Sequence, residues 1–269
     1  MNLRTPSLRQ SLLCAAAVGL TACGGEGASL RFSVNESAAQ AAHVLVQGAE
    51  ATATPAPTFH SSDGIVFTLT EARIHLKDIR LDLPQGTKCA EVSGLLAGAT
   101  CKGSESSGTV VVPGPIVVDL MTGATTPDLS GLRLPAGNYK RIDFRLDEAK
   151  AAEVASGEPL VGYSLLVKAS FTQDNASNTL DLKLKFSEDA RFESTNGVAV
   201  DADTALLALL QPQAWLEGLP VATCLSKGDL QLASNVLRID DQAKGDCGDA
   251  ENRVKTNIKN SGQLRTAKD

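Results

Sequence analysis

The chain has 269 residues with 31 acidic and 25 basic side chains, a formal net charge of −6. An acidic chain lacks the basic footprint that nucleic-acid binding requires, so that class of partner is excluded. Apolar residues make up 43% of the sequence, enough for one large all-β domain or two small ones with a packed core.

The chain opens with Arg4 and Arg9 and no acid, followed by an apolar run from Leu12 to Leu20 and by Leu20-Thr21-Ala22-Cys23. A basic start, an apolar core and a small-residue cleavage site are the parts of a secretory signal. As a helix the apolar run would extend about 14 Å, too short for a hydrocarbon layer of about 30 Å. Leu20-Thr21-Ala22-Cys23 resembles a bacterial lipobox, in which the chain is cut before the Cys and lipid is attached to it. The expectation is a signal over 1–22 and a membrane tether on Cys23. Removing Arg4 and Arg9 takes the formal charge to −8. Such a chain would be repelled by anionic headgroups, which leaves attachment to the acyl chains. Gly24 rather than Asp follows the Cys, which favours the outer membrane, facing the periplasm or the surface.

Of six Cys, Cys14 lies in the signal and Cys23 takes lipid. Cys89, Cys101, Cys224 and Cys247 remain, an even number in an exported chain, which predicts two disulfides. Pairing of nearest neighbours would close two short loops rich in Gly, Ser or Asp. No C-x-x-C spacing supports a thiolate metal site.

Leu30, Phe32 and Val34 alternate as a first strand, and Ser37 to Pro57 reads as a loop. From Ile65 to Leu83 two readings compete. Ile65, Phe67 and Leu69, then Ile79, Leu81 and Leu83, alternate as strands, while Leu69, Ala72, Leu76 and Ile79 fit a helical face. The strand reading is preferred, and it requires bulges that shift the phase. Ile116 to Leu120 reads as a buried strand. Pro135, Gly137 and Asn138 make a turn into a strand carrying Ile142, Phe144 and Leu146. Tyr163 to Phe171 and Leu180 to Phe186 form a hairpin around Asp174 to Asn178, with a charged outer face. Ala205 to Leu210 is solidly apolar, and Pro212 starts a helical turn that carries Trp215. Leu230 to Ile239 suggests more strand, and Asp249 to Lys259 a short helix. The sum is a mainly β chain, an antiparallel β-sandwich with one or two short helices. Its parts are a tether, first strand and loop over 23–60, the sandwich over 61–222, and a disulfide-linked extension over 223–269 that packs on it.

Phe67 to Ala72, Val118-Asp119-Leu120 and Leu134-Pro135-Ala136-Gly137-Asn138-Tyr139, with the apolar run leading to Pro212 and Trp215, resemble the DUF4382-type bacterial lipoproteins. Leu-Pro-Ala-Gly-x-Tyr is also similar to the turn of prealbumin-like and carboxypeptidase-regulatory-like sandwiches. The resemblance covers about Ile65 to Leu219. It implies a prealbumin-like or Ig-like sandwich, with Tyr139 entering the strand after the turn, and implies no activity.

Catalytic motifs are lacking. Gly162-Tyr163-Ser164 has no second Gly, and none of His43, His60 and His75 shows triad spacing, so no catalytic residue is assigned. His75, between Arg73 and Lys77, reads as a surface or edge-strand residue. No metal ligand set or cofactor is assigned. Asp240, Asp241, Asp246 and Asp249 near Cys247 form the best oxygen cluster, and Asp201 and Asp203 a second, separate D-x-D, a calcium alternative without an EF-hand pattern. The functional expectation is a lipid-anchored, non-enzymatic envelope module that binds an envelope protein or polysaccharide, or contributes surface structure. The alternative is a calcium- or carbohydrate-binding module that uses acidic loops.

Overall fold

The computed structural model describes residues 27–35, 55–103, 107–202 and 204–268. The signal, Cys23 and most of the loop expected over 37–57 lie outside these residues. The described strands are β1 (Ser29–Ser33), β2 (Thr58–His60), β3 (Val66–Asp82), β4 (Thr100–Gly103), β5 (Gly108–Asp119), β6 (Thr125–Thr126) and β7 (Gly137–Leu146). They continue with β8 (Leu165–Gln173), β9 (Ala176–Leu184), β10 (Asp189–Val200), β11 (Thr204–Leu210), β12 (Leu232–Ala233), β13 (Val236–Leu237) and β14 (Gly262–Lys268). Three short helices accompany them: α1 (Cys89–Val92), α2 (Val221–Lys227) and α3 (Ala250–Asn260).

The fold is organised around β3. β2 and β5 pair along one of its edges, and β8 and β7 follow end to end along the other. β3 serves both partners by changing phase twice. Phe67 and Leu69 point into the core; the register shifts between Leu69 and Glu71, and Ala72, Ile74 and Leu76 then point inward. A second shift between Leu76 and Asp78 returns Ile79 and Leu81 to the core. A bulge inserts one extra residue, so the pleat restarts on the other face and bends the strand. The helix-like spacing of Leu69, Ala72, Leu76 and Ile79 is the sequence trace of these two bulges.

The larger sheet runs β10-β7-β3-β8-β9-β13-β12, and a smaller one runs β1-β11-β14. The arrangement is a mainly β, sandwich-like one. It is mixed rather than purely antiparallel, because β1 runs parallel to β11 and β13 parallel to β9. β11 turns Leu206, Ala208 and Leu210 into the main core and buries Ala205, Leu207 and Leu209 on its other face. Two aromatic groups fill the interior. Phe171, Phe67, Phe59 and Trp215 lie in sequence with ring centroids 4.8, 5.2 and 5.8 Å apart; Phe144 sits between Phe32 at 5.7 Å and Phe192 at 5.0 Å. Trp215 closes the 3-10 turn Pro212–Ala214, and its Nε1 donates to Ser261 Oγ at 3.1 Å.

The turn before β7 has the expected form. Gly137 takes φ +151, and a Cβ there would come within 2.5 Å of Pro84 Cγ, so only Gly fits. Tyr139 is fully buried and donates from Oη to Pro135 O at 2.7 Å. Cys89 pairs with Cys101 and Cys224 with Cys247, the nearest-neighbour arrangement. Beyond residue 222 the chain is woven into the sandwich as well as resting on it: α2 runs across the 222/223 boundary, and β14 is the third strand of the smaller sheet. His60, expected in a loop, lies in β2.

Candidate functional site

Strands β2, β3, β8 and β9 turn one face inward and leave the other toward solvent. Their register aligns the outward side chains into rows. Thr58 pairs with Thr68, Thr68 with Ser170, and Ser170 with Thr179, so one row of hydroxyls crosses four strands. The neighbouring row holds His60 opposite Val66 and Thr172 opposite Ser177. Neighbouring strands lie about 4.8 Å apart, and successive outward residues about 6.7 Å apart along a strand. The hydroxyls therefore form a grid. Thr68, Ser170, Thr172 and Ser177 of this grid line a groove of about 620 Å³, bordered by Asp63 at one side and by Gln173 and Asp174 at the hairpin end. Asp174 and Asn175 take positive φ, the two-residue turn that closes β8 onto β9. Val66, 48% exposed, adds an apolar surface.

The polar groups of the groove differ in availability. Asp63 accepts from Ser61 Oγ at 2.7 Å and from the Thr223 amide at 2.8 Å. Burial acts to raise its pKa, but these donors outweigh burial and hold the carboxyl below its ordinary range. Gln173 Oε1 is buried and accepts no hydrogen bond. Among the described residues lining the groove there is no Lys, Arg or His.

One step along the sheet the hydroxyls give way to charge. Glu71 lies opposite Lys168, and Lys168 opposite Asp181. Lys168 Nζ meets Glu71 Oε2 at 2.7 Å, and Arg238 Nε reaches Asp181 Oδ2 at 3.8 Å. Beyond this ladder a cleft of about 460 Å³ separates β9 from the C-terminal segment, with Lys183, Lys185 and Arg238 facing Asp181, Asp240 and Asp241. Lys183 and Lys185 each hold Nζ 5.6 Å from the Tyr163 ring centroid. Such cation–π contacts contribute about 0.5–1 kcal/mol at exposed positions. The cleft carries both signs of charge, largely satisfied within the protein.

The far end of this face is covered. Residues 147–163 strap across it, packing Ala149 and Leu160 on Leu166. His75 lies beneath the strap at 2% exposure, which corrects the surface placement. Its Nδ1 is 2.9 Å from Asp147 O, and its Nε2 is buried without a partner. Ser164 is close by, since the His75 amide donates to Ser164 O at 2.8 Å. Ser164 Oγ nevertheless donates to Phe186 O at 2.8 Å and accepts from Phe186 N at 2.9 Å. The hydroxyl is buried and joins two strands, and the imidazole anchors the strap. Neither is placed to activate the other.

The acidic C-terminal residues are dispersed. Asp246 Oδ2 meets Lys227 Nζ at 2.7 Å, and that hydrogen bond holds its carboxyl below the ordinary range. Asp249 pairs with Arg253 at 3.0 Å, while Asp240 and Asp241 each accept from Gln242. Asp203 lies outside the described residues, as do His43 and Cys23. Among the described residues no group of three or more His, Cys, Asp or Glu is placed to hold a metal ion. Among them, too, no helix is long and apolar enough to cross a membrane.

The hydroxyl grid was not anticipated, although its trace is visible as Thr68-x-Thr70, Ser170-x-Thr172 and Ser177-x-Thr179. Comparison with protein-family models, with curated proteins and with solved structures returned no match.

Proposed function

We propose that this chain is a non-enzymatic binding module of the cell envelope, related to the DUF4382-type lipoproteins and held at the outer membrane by lipid on Cys23. The observation that carries the binding role is the outward face of β2, β3, β8 and β9. Its polar side chains stand in register on a rigid sheet and remain open to solvent beside a groove of about 620 Å³. That volume falls in the range of about 300–1,000 Å³ typical of ligand sites. Two disulfides suit an oxidising compartment and support export. The lipobox-like run before Cys23 supports the anchor.

Two measurements test this reading. Cell fractionation with mass spectrometry of the N-terminus should find diacylated Cys23 in the membrane fraction, and Cys23→Ser should move the protein to the soluble fraction. An unmodified N-terminus, or membrane retention of Cys23→Ser, would overturn the anchor. Residues 24–269, made without the lipid, should cosediment with isolated envelopes, and Ser170→Arg with Thr172→Arg should abolish this. Cosedimentation equal to that of the unsubstituted protein would remove this face from the function.

A further inference from the structure

We propose that the groove over Ser170, Thr172 and Ser177 binds a neutral, hydroxyl-rich saccharide chain; this rests on the binding role just given and names its ligand class.

Charge narrows the choice first. The described lining residues offer no cation, and Asp63 and Asp174 contribute negative charge, so an anionic polymer is repelled. The charge is also a poor trap for a cation, because Asp63 has both oxygens engaged by Ser61 and Thr223. A neutral ligand is left. Hydrogen-bond chemistry narrows it further. Ser and Thr hydroxyls both donate and accept, and Asp174 accepts. Rows of hydroxyls that donate and accept match a partner whose own groups do the same, and sugar hydroxyls do.

Geometry supports a chain over a single ring. The hydroxyls recur about every 4.8 Å across strands and about every 6.7 Å along them, a two-dimensional lattice that successive sugar rings can meet in turn. Val66 supplies the apolar contact that the C–H face of a sugar ring needs, in the place an aromatic platform would otherwise fill. Because the side chains are short and stand on paired strands, little rotamer freedom is lost on binding. The adjoining Glu71–Lys168–Asp181 ladder is internally neutralised and marks the boundary of the hydroxyl region.

The test is affinity electrophoresis of residues 24–269 through gels containing dextran, laminarin, mannan or xylan, with polygalacturonate as the anionic comparison. At least one neutral polymer should retard the protein and polygalacturonate should not. Ser170→Arg with Thr172→Arg should weaken that retardation about tenfold or more, while Lys183→Ala with Lys185→Ala should leave it unchanged. Thr172→Ala with Ser177→Ala, which removes hydroxyls without adding bulk, should weaken it in the same direction. Trp215 fluorescence during thermal unfolding reports whether each variant is folded. Retardation by neutral polymer that survives both groove variants overturns the proposal. Retardation by polygalacturonate alone overturns it too, and if lost in Lys183→Ala with Lys185→Ala it moves binding to the charged cleft. Failure of every polymer, with face-dependent envelope cosedimentation intact, rejects the saccharide and keeps the binding role; loss of both rejects both.

Discussion

Replacing Tyr139 by Phe removes one atom from the turn that starts β7. The hydroxyl donates to Pro135 O at 2.7 Å, and the residue is fully buried. The ring still fills its place, so the change isolates the hydrogen bond. A hydrogen bond contributes about 0.5–1.5 kcal/mol net, and a buried group left unpaired costs about 1–3 kcal/mol. The expected loss for Tyr139→Phe is therefore about 2 kcal/mol, against about 3–5 kcal/mol for Tyr139→Ala, which also opens a cavity. At about 2–4 °C per kcal/mol for a domain of this size, Tyr139→Phe should lower Tm by about 4–8 °C. Urea unfolding followed by fluorescence of Trp215, the sole Trp, measures the difference. A pH arm sharpens the test. Burial pushes the Tyr139 phenol up from its ordinary 10.0, so folding favours the neutral form. A group raised in the folded state stabilises fully below its unfolded value and loses that contribution as pH climbs toward the folded one. The gap between wild type and Tyr139→Phe should thus narrow above pH 10. A Tyr139→Phe protein as stable as wild type at pH 7, or a gap that stays constant to pH 11, would refute this account of the turn.

Other perturbations have equally direct outcomes. Opening Cys224–Cys247, which closes a separation of 23 residues, should cost about 3.4 kcal/mol in the chain-entropy picture, and opening Cys89–Cys101, with 12, about 2.8 kcal/mol. Denaturant midpoints of the two double-Ala variants check this order, and a clear reversal would show that native packing outweighs the loops. Asp63, whose carboxyl is held below its ordinary 3.8, stabilises the fold above that pH and loses the contribution as pH falls through the folded value. Asp63→Asn should accordingly show a shallower acid limb in a Tm-against-pH series. Deleting Lys77, the extra residue at the second bulge of β3, would leave Leu76, Ile79 and Leu81 in plain alternation on the core face, so the variant should still unfold cooperatively; Lys77→Ala should change stability by less than about 0.5 kcal/mol. Loss of cooperative unfolding in the deletion variant would show that the fold needs the bulge itself and not only the phase it sets.

Where apolar alternation is strong, the sequence is readable, and the two faces of β8 and β9 follow from it directly. β3 was legible as a strand because alternation resumes on both sides of each irregularity, and a bulge is the ordinary way to restore it. β10 and β14 left no such trace. β10 is interrupted by a register shift between Glu193 and Val198, over a run of polar residues. β14 buries few side chains, Leu264 and Ala267 among them, so its pattern is too sparse to see. His75 was misplaced because its cover comes from residues 147–163, a segment with no period of its own, and burial by such a segment is a tertiary effect. The hydroxyl pairs of the candidate site were present as local triplets. Their meaning depends on register between strands up to about a hundred residues apart, which composition and spacing do not encode.

β1 has a mechanical consequence. Ser29–Ser33 run parallel to Ala205–Leu209 and in register with them. A pull arriving from the N-terminal side and directed along β1 would slide it lengthwise against β11, loading the shared backbone hydrogen bonds together in shear. Strands loaded that way yield only when the bonds fail as a group, whereas a strand peeled from its end gives them up one at a time. With β14 bound to the other edge of β11, the three-stranded sheet is built to bear tension.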